Sequence, residues 1–272
     1  MSTTAVDLPP VEIRRGAGRL AGTAHDSFAV AARNLIAYRR VPQLLVFSTI
    51  QPVIFVLMFR YVFGGAIKLP ANLPYVDYLM PGIFVQTVVF GSLAAAIGLA
   101  TDLKSGLLER FRSLPMARSA VLAGRTLADL VRNVFVVVLM AAVGFGVGFR
   151  IHNGVAPFLL GMALVLLFGY SMAWIFATVG LAVGDPEAAQ AAAFPVLAPL
   201  VFASSAFVPV STMPGWLQAF AKHQPVSATV FAVRDLVLGT PATTDVLQAL
   251  GWMAGIVVIF APLAVRRYRR SV

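Results

Sequence analysis

The residues from Val155 to Val183 form an apolar run that contains no Asp, Glu, Lys or Arg. An α-helix needs about 20 such residues to cross the roughly 30 Å hydrocarbon core of a bilayer. Several other runs approach this length, and charged residues make up only 12% of the chain. A soluble domain usually contains about 25% charged residues. The sequence therefore predicts a protein that crosses a membrane several times.

We predict an all-α integral membrane protein with a single transmembrane domain, residues 23–265, between a flexible tail (1–22) and a basic tail (266–272). Its first helix, residues 23–40, is amphipathic with a basic side, which is typical of a helix that lies along the inner membrane surface. A short cytosolic helix is the alternative. The six predicted spans cover residues 44–63, 78–101, 127–149, 155–183, 189–209 and 246–265.

The positions of Lys and Arg predict the orientation of these spans. Sixteen of them fall on the side of the two termini and four on the opposite side. The positive-inside rule therefore places both termini in the cytoplasm. The net charge of +10 does not indicate a nucleic-acid partner, because the arginines flank the apolar runs, where anionic lipids attract them. Disulfides and thiolate metal sites are excluded, since the chain has no cysteine.

A polar arm, residues 102–126, separates the second and third predicted spans and carries one lysine and four arginines. Each charge would cost roughly 2.5–3.5 kcal/mol in hydrocarbon even on the mildest scale, so the arm must lie in water. Pro115 interrupts it, which predicts a helix–break–helix. The alternative is a solvated loop whose arginines only set the topology.

Residues 211–239 are too interrupted to cross the bilayer as one helix, since Pro214 and Pro225 each favour a new helix start. We predict two short outer helices that form a re-entrant hairpin. Arg234 and Asp235 are then candidates for the transport pathway, and the alternative is a water-exposed interfacial pair. In the third span, Gly144 and Gly148 form a small-xxx-small pair that predicts close helix packing.

The chain has no phosphate-binding loop of its own. Lys104 and Ser105 would end such a motif, but Leu103 stands where glycine is required. Any ATPase that acts with it must therefore be another chain. The three histidines are scattered along the sequence, which argues against a metal site, and we predict no catalysis and no cofactor or metal bound by this chain.

We also expect almost no charge buried within the spans, which disfavours a proton-driven carrier. An apolar pathway would suit a hydrophobic or amphiphilic cargo. An integral-membrane enzyme or a channel is the alternative from a different class. An enzyme would need a cluster of polar residues at one membrane face, and a channel would need a ring of polar residues along a span. The sequence shows neither pattern.

Two long segments carry a family resemblance: LLERFRSLPMARSAVLAGRTLAD at residues 107–129 and FPVLAPLVFASSAFVPVSTMPGWLQAFAKHQPVSATVFAVRDLVLG at residues 194–239. FRYVFGG at residues 59–65 is a weaker match. The chain resembles the permeases of type-2 ABC exporters, in particular the daunorubicin-resistance-like branch, from about residue 25 onward.

This resemblance implies a subunit of the bacterial plasma membrane that pairs with a second permease, identical or not, and with two ABC ATPase subunits that bind ATP and Mg. The implied cargo is a drug, an antibiotic or a lipid, and polyprenyl-linked polysaccharide is the alternative. In such permeases the polar arm and the first helix contact the ATPase. The implied coupling residues are Leu108, Glu109, Arg110, Phe111 and Arg112, supported by Arg33, Arg39 and Arg40.

Overall fold

The computed structural model describes residues 42–65, 67, 69, 73–106 and 118–271, and this part of the chain contains α-helices and no strands. The helices are α1 (Pro42–Met58, continued by a π-helical turn, Phe59–Phe63), α2 (Tyr75–Lys104), α3 (Arg118–Gly146), α4 (Val155–Val183), α5 (Pro186–Phe202), α6 (Gly215–His223), α7 (Pro225–Leu238) and α8 (Thr243–Ser271). A 3₁₀ turn, Val210–Thr212, precedes α6. The all-helical prediction is confirmed for these residues.

Four helices of the described part are long and apolar enough to cross a membrane: α2, Leu127–Gly146 of α3, α4, and Thr243–Arg269 of α8. Two shorter apolar segments, Thr49–Phe63 and Pro186–Phe202, correspond to the first and fifth predicted spans. The fourth predicted span agrees with α4 at both ends. The fifth was predicted too long, since α5 ends at Phe202 and irregular backbone follows as far as the 3₁₀ turn.

Local chemistry explains several of the helix ends. The Asp185 carboxylate caps α5 by accepting hydrogen bonds from the Glu187 and Ala188 N–H groups, and Pro186 occupies the first turn, where proline is tolerated. Gly184 ends α4 and Gly239 ends α7, each with a positive φ that favours glycine.

α2 lies at the centre of the molecule and packs against α4, α5, α3, α7 and α1. Two close contacts depend on glycine. A Cβ at Gly82 would overlap the backbone of Ala206, and a Cβ at Gly180 of α4 would overlap the backbone of Ala96. The helices approach closely at these points because no side chain separates them, as is common between membrane helices.

We expect Gly180→Ala to destabilise the protein by about 1–3 kcal/mol, because the new methyl group would push α4 away from α2. Gly255→Ala on α8 is the matched control, since a Cβ there meets nothing within 4 Å. Thermal denaturation of both variants in nanodiscs measures the difference. Equal stability of the two variants would contradict the proposed close contact.

Candidate functional site

Arg234 of α7 is buried, with 6% of its side chain exposed, and it joins three parts of the chain. Its Nε donates to the carbonyl oxygen of Tyr78 at 3.2 Å, and its Nη2 donates to that of Ser205 at 2.7 Å. The guanidinium carbon lies 3.6 Å from the centroid of the Tyr78 ring, a cation–π contact. The water-exposed alternative therefore does not fit Arg234, which ties α7 to α2 and to the segment after α5.

Asp235 contacts a different set of groups from Arg234. Its Oδ1 accepts a hydrogen bond from the Thr240 hydroxyl at 2.6 Å, and the carboxylate of Asp245 is its acidic neighbour. Partial burial, and to a smaller extent the neighbouring Asp245 carboxylate, raise the pKa of Asp235 to about 6. The hydrogen bond from Thr240 and the positive charge of Arg234 lower this pKa, but their effect is smaller. This carboxyl group, in the last turn of α7, therefore titrates near pH 6.

We expect Asp235→Asn to change the pH dependence of stability. A carboxyl group with a raised pKa in the folded state contributes stability that is fully present below its unfolded pKa and is lost as pH rises through about 6. The amide retains an oxygen for Thr240 but carries no charge. The variant should therefore gain in melting temperature over the wild type at about pH 7.5, and gain less at about pH 4. A gain independent of pH would contradict the assigned titration.

The loop between α3 and α4 is fixed at this same end of the molecule by Asp77, which sequence reasoning did not select. The buried Asp77 carboxylate accepts a hydrogen bond from the Arg150 backbone N–H at 2.9 Å, and its other oxygen lies 2.8 Å from Nε2 of His152. Asn153 donates to the carbonyl oxygen of Leu236. The loop thereby joins the first turn of α2 to the end of α7.

Charged groups are buried within the third predicted span, contrary to expectation. Asp129 is 3% exposed and Arg132 is 7% exposed, and their carboxylate and guanidinium groups lie 4.0 Å apart. Arg132 also donates hydrogen bonds to the Gly91 carbonyl and to Oδ1 of Asn133. Because α3 already begins at Arg118, Arg132 lies halfway along the helix and not at its inner end. The expectation that the spans bury almost no charge is therefore wrong at Asp129 and Arg132, and the apolar pathway stays a prediction.

A cavity of about 220 Å³ lies beside these residues, between α1, α2 and α3. Gln51 and Pro52 of α1, Gln86 and Gly91 of α2, and Arg132 and Asn133 of α3 are among the residues that line it. Gly91 and Arg132 each stand near the middle of their helix. The cavity therefore lies at mid-depth of the helical region, with several polar groups in a mostly apolar lining, and we call it the mid-depth cavity.

At the opposite end from Asp77, Lys104 at the end of α2 forms an ion pair with Asp185 at the start of α5. The hydrogen bond from Lys104, together with the N–H group of Ala188, lowers the pKa of Asp185. Both side chains are largely exposed, so the pair adds little to stability. It does join the end of α2, at the start of the polar arm, to the start of α5.

The remaining predicted residues lie elsewhere. Those predicted to couple to the ATPase, Leu108, Glu109, Arg110, Phe111, Arg112, Arg33, Arg39 and Arg40, are outside the described residues. A Cβ on Gly144 would lie 2.5 Å from Cε of Met80, so α3 approaches α2 there. Gly148 follows the end of α3 with φ of +102° and open space around it, so the two glycines do not share a helix face.

Comparison with known proteins gives one family and several named relatives. Residues 26–238 match the family described as ABC-2 type transporter. The daunorubicin resistance ABC transporter permease protein DrrB1 of Streptomyces coeruleorubidus is 38% identical over 239 residues, which are 88% of this chain and 84% of that protein.

Two further relatives are more distant. The probable doxorubicin resistance ABC transporter permease protein DrrC of Mycobacterium tuberculosis is 31% identical, with 82% of this chain and 81% of that protein covered. A putative transport permease, ycf38, of Cyanophora paradoxa is 27% identical, with 78% and 73% covered.

Proposed function

The chain belongs to the ABC-2 type transporter family, and we propose on that premise that it is the permease subunit of an ATP-driven exporter. The observation that carries this proposal is the family match over residues 26–238, which includes three of the four long apolar helices. Membership in this family implies a multi-pass membrane protein that works with an ATPase and with a second permease. The ATP and Mg then bind to the ATPase subunits, of which we propose two for each permease pair.

The proposed cargo is a hydrophobic or amphiphilic compound, and a drug is the preferred candidate. Two relatives carry resistance to daunorubicin or doxorubicin in their names, and one of them is 38% identical to this chain. The mid-depth cavity supports an amphiphile more than a hydrocarbon, because it combines Gln86 and Arg132 with apolar groups such as Phe90 and Val136. We propose outward movement across the bacterial plasma membrane.

The proposed topology retains six spans with both termini in the cytoplasm. α1 and α5 support this arrangement, although each is shorter than a standard span. Asp185, at the start of α5, pairs with Lys104 at one end of α2, whereas Ser205, beyond α5, accepts a hydrogen bond from Tyr78 near the other end. Phe59 of the π-helical turn stacks on Phe207, with ring centroids 4.5 Å apart. α1 with its π-helical turn, and α5 with the residues that follow it, thus reach the end of the molecule where Asp77 and Arg234 lie.

The decisive experiment joins the permease to its ATPase. The full-length chain, tagged and co-expressed with candidate ATPases from the same genome, should retain one of them during purification. The reconstituted complex should hydrolyse ATP faster in the presence of daunorubicin, and cells that express both genes should accumulate less of the drug. Failure to recover any ATPase would remove the proposal.

A further inference from the structure

A residue that lines the mid-depth cavity, Gln86, has a buried amide oxygen that accepts no hydrogen bond. Gln86 lies in the central helix α2 with 2% of its side chain exposed, and its Oε1 atom has no hydrogen-bond partner among the described residues. An unsatisfied buried acceptor costs about 1–3 kcal/mol. Such an atom is expected where a ligand or water completes the site, because native proteins leave few buried polar groups unpaired.

Gln51 shows which side of this cavity is open. It lines the cavity from the middle of α1, and its side chain is exposed. An amide in contact with hydrocarbon at this depth would lack hydrogen-bond partners, which is costly. The exposed face of α1 near Gln51 is therefore suited to a polar neighbour, such as cargo, water or the second permease subunit.

The positive charge of Arg132 at the cavity is already balanced by neighbouring groups. Arg132 lies near the Asp129 carboxylate and donates hydrogen bonds to Gly91 and Asn133, so the cluster presents little net charge to a ligand. A Cβ on Gly91 would lie 2.7 Å from Oδ1 of Asn133, and therefore glycine is needed for α3 to approach α2 here. The cluster thus fixes the wall of the cavity, and Gln86 remains the group that needs a donor.

We propose that the mid-depth cavity binds the hydrogen-bond-donating part of the cargo, a hydroxyl or amino group attached to an aromatic or aliphatic body. The Gln86 amide would turn its Oε1 atom from its buried position towards the cavity to accept this hydrogen bond, and the turn breaks no hydrogen bond of that oxygen. The inference rests on the proposed export function and adds a substrate class and a residue to it. The volume of about 220 Å³ is below the roughly 300–1,000 Å³ of sites that enclose a drug-sized ligand. The cavity therefore holds one end of such a cargo.

Equilibrium binding to the full-length permease in nanodiscs tests this site without the ATPase. Daunorubicin is the probe, and its fluorescence anisotropy gives the dissociation constant. Gln86→Leu should weaken binding by about 5- to 10-fold, the loss expected for one hydrogen bond. The matched control is Gln248→Leu, which makes the same chemical change at an exposed position of α8 and should leave the constant within about twofold.

A second variant separates loss of the site from misfolding. Ala94→Leu fills the cavity and leaves Gln86 intact, so it should also weaken daunorubicin binding. Co-purification of each variant with the ATPase checks that the permease is folded. Unchanged daunorubicin binding in both variants, or no binding to the wild type, would overturn the proposed site.

Two competitors test the donor requirement itself. Anthracene-9-methanol and its methyl ether share an aromatic body and differ by the O–H donor. The alcohol should displace daunorubicin from the wild type at a lower concentration than the ether, and the two should be equal in Gln86→Leu. Equal competition in the wild type would overturn the substrate class. An ATPase that neither binds the permease nor responds to daunorubicin would instead contradict the export function.

Discussion

Replacing Arg234 with methionine is expected to lower the free energy of unfolding by about 2–4 kcal/mol, the largest effect of any single substitution considered for this chain. The guanidinium group donates to two carbonyl oxygens that lie far away in the sequence, at Tyr78 and Ser205, and it stacks on the Tyr78 ring. Methionine fills much of the same volume and donates no hydrogen bond. The segment after α5 would then lose this link to α7 and keep the hydrogen bond from the Ser205 N–H group to the Ser227 hydroxyl. Denaturation in micelles followed by circular dichroism measures the loss.

Arg234→Lys separates charge from geometry. Lysine keeps the positive charge but cannot direct two donors in a fixed fork or stack a planar group on Tyr78, so it should recover only part of the loss. Arg266→Met, at an exposed position of α8, is the matched control and should be close to neutral. If Arg234→Lys were as stable as the wild type, the charge alone would suffice and the proposed bridging geometry would be wrong.

Local signals were enough to predict the ends of some helices. The bounds of α4 follow from an uncharged run between Gly154 and Gly184, both of which adopt a positive φ. The bounds of α7 follow from Pro225 in its first turn and Gly239 at its end. In each case the deciding residues lie within one turn of the helix end, so no knowledge of the tertiary fold was needed.

The buried polar groups could not be predicted in this way, because their partners are distant in the sequence. Hydropathy marks the start of the apolar run near Leu127 and not the start of the helix at Arg118, so it does not show that Arg132 lies halfway along the helix. The acceptor of Arg132 at Gly91 belongs to another helix, as does the carbonyl of Tyr78 that binds Arg234. The unpaired oxygen of Gln86 is likewise visible only once α1, α2 and α3 are packed.

The continuity of α3 suggests how the polar arm acts on the membrane region. We propose that the ATPase moves this arm, and that the displacement reaches the mid-depth cavity through α3. The helix begins at Arg118, within the arm, and continues without interruption to Asp129 and Arg132, where it contacts Gly91 of α2. A rigid helix shifts both of its ends together, so displacement of the arm would move one wall of the cavity.

Reversing two charges of the arm, Glu109→Lys together with Arg112→Glu, is expected to weaken ATPase binding by about 10- to 100-fold and to abolish export. The net charge of the chain stays the same, so only the pattern presented to the ATPase changes. Glu187→Lys with Arg269→Glu makes the same exchange at exposed positions of α5 and α8, and it should leave binding within about twofold. Co-purification and daunorubicin efflux measure both pairs.

If the arm variant bound the ATPase and exported the drug like the wild type, Glu109 and Arg112 would have no coupling role. If it bound the ATPase but did not export, these charges would act in transmission through α3 and not in docking.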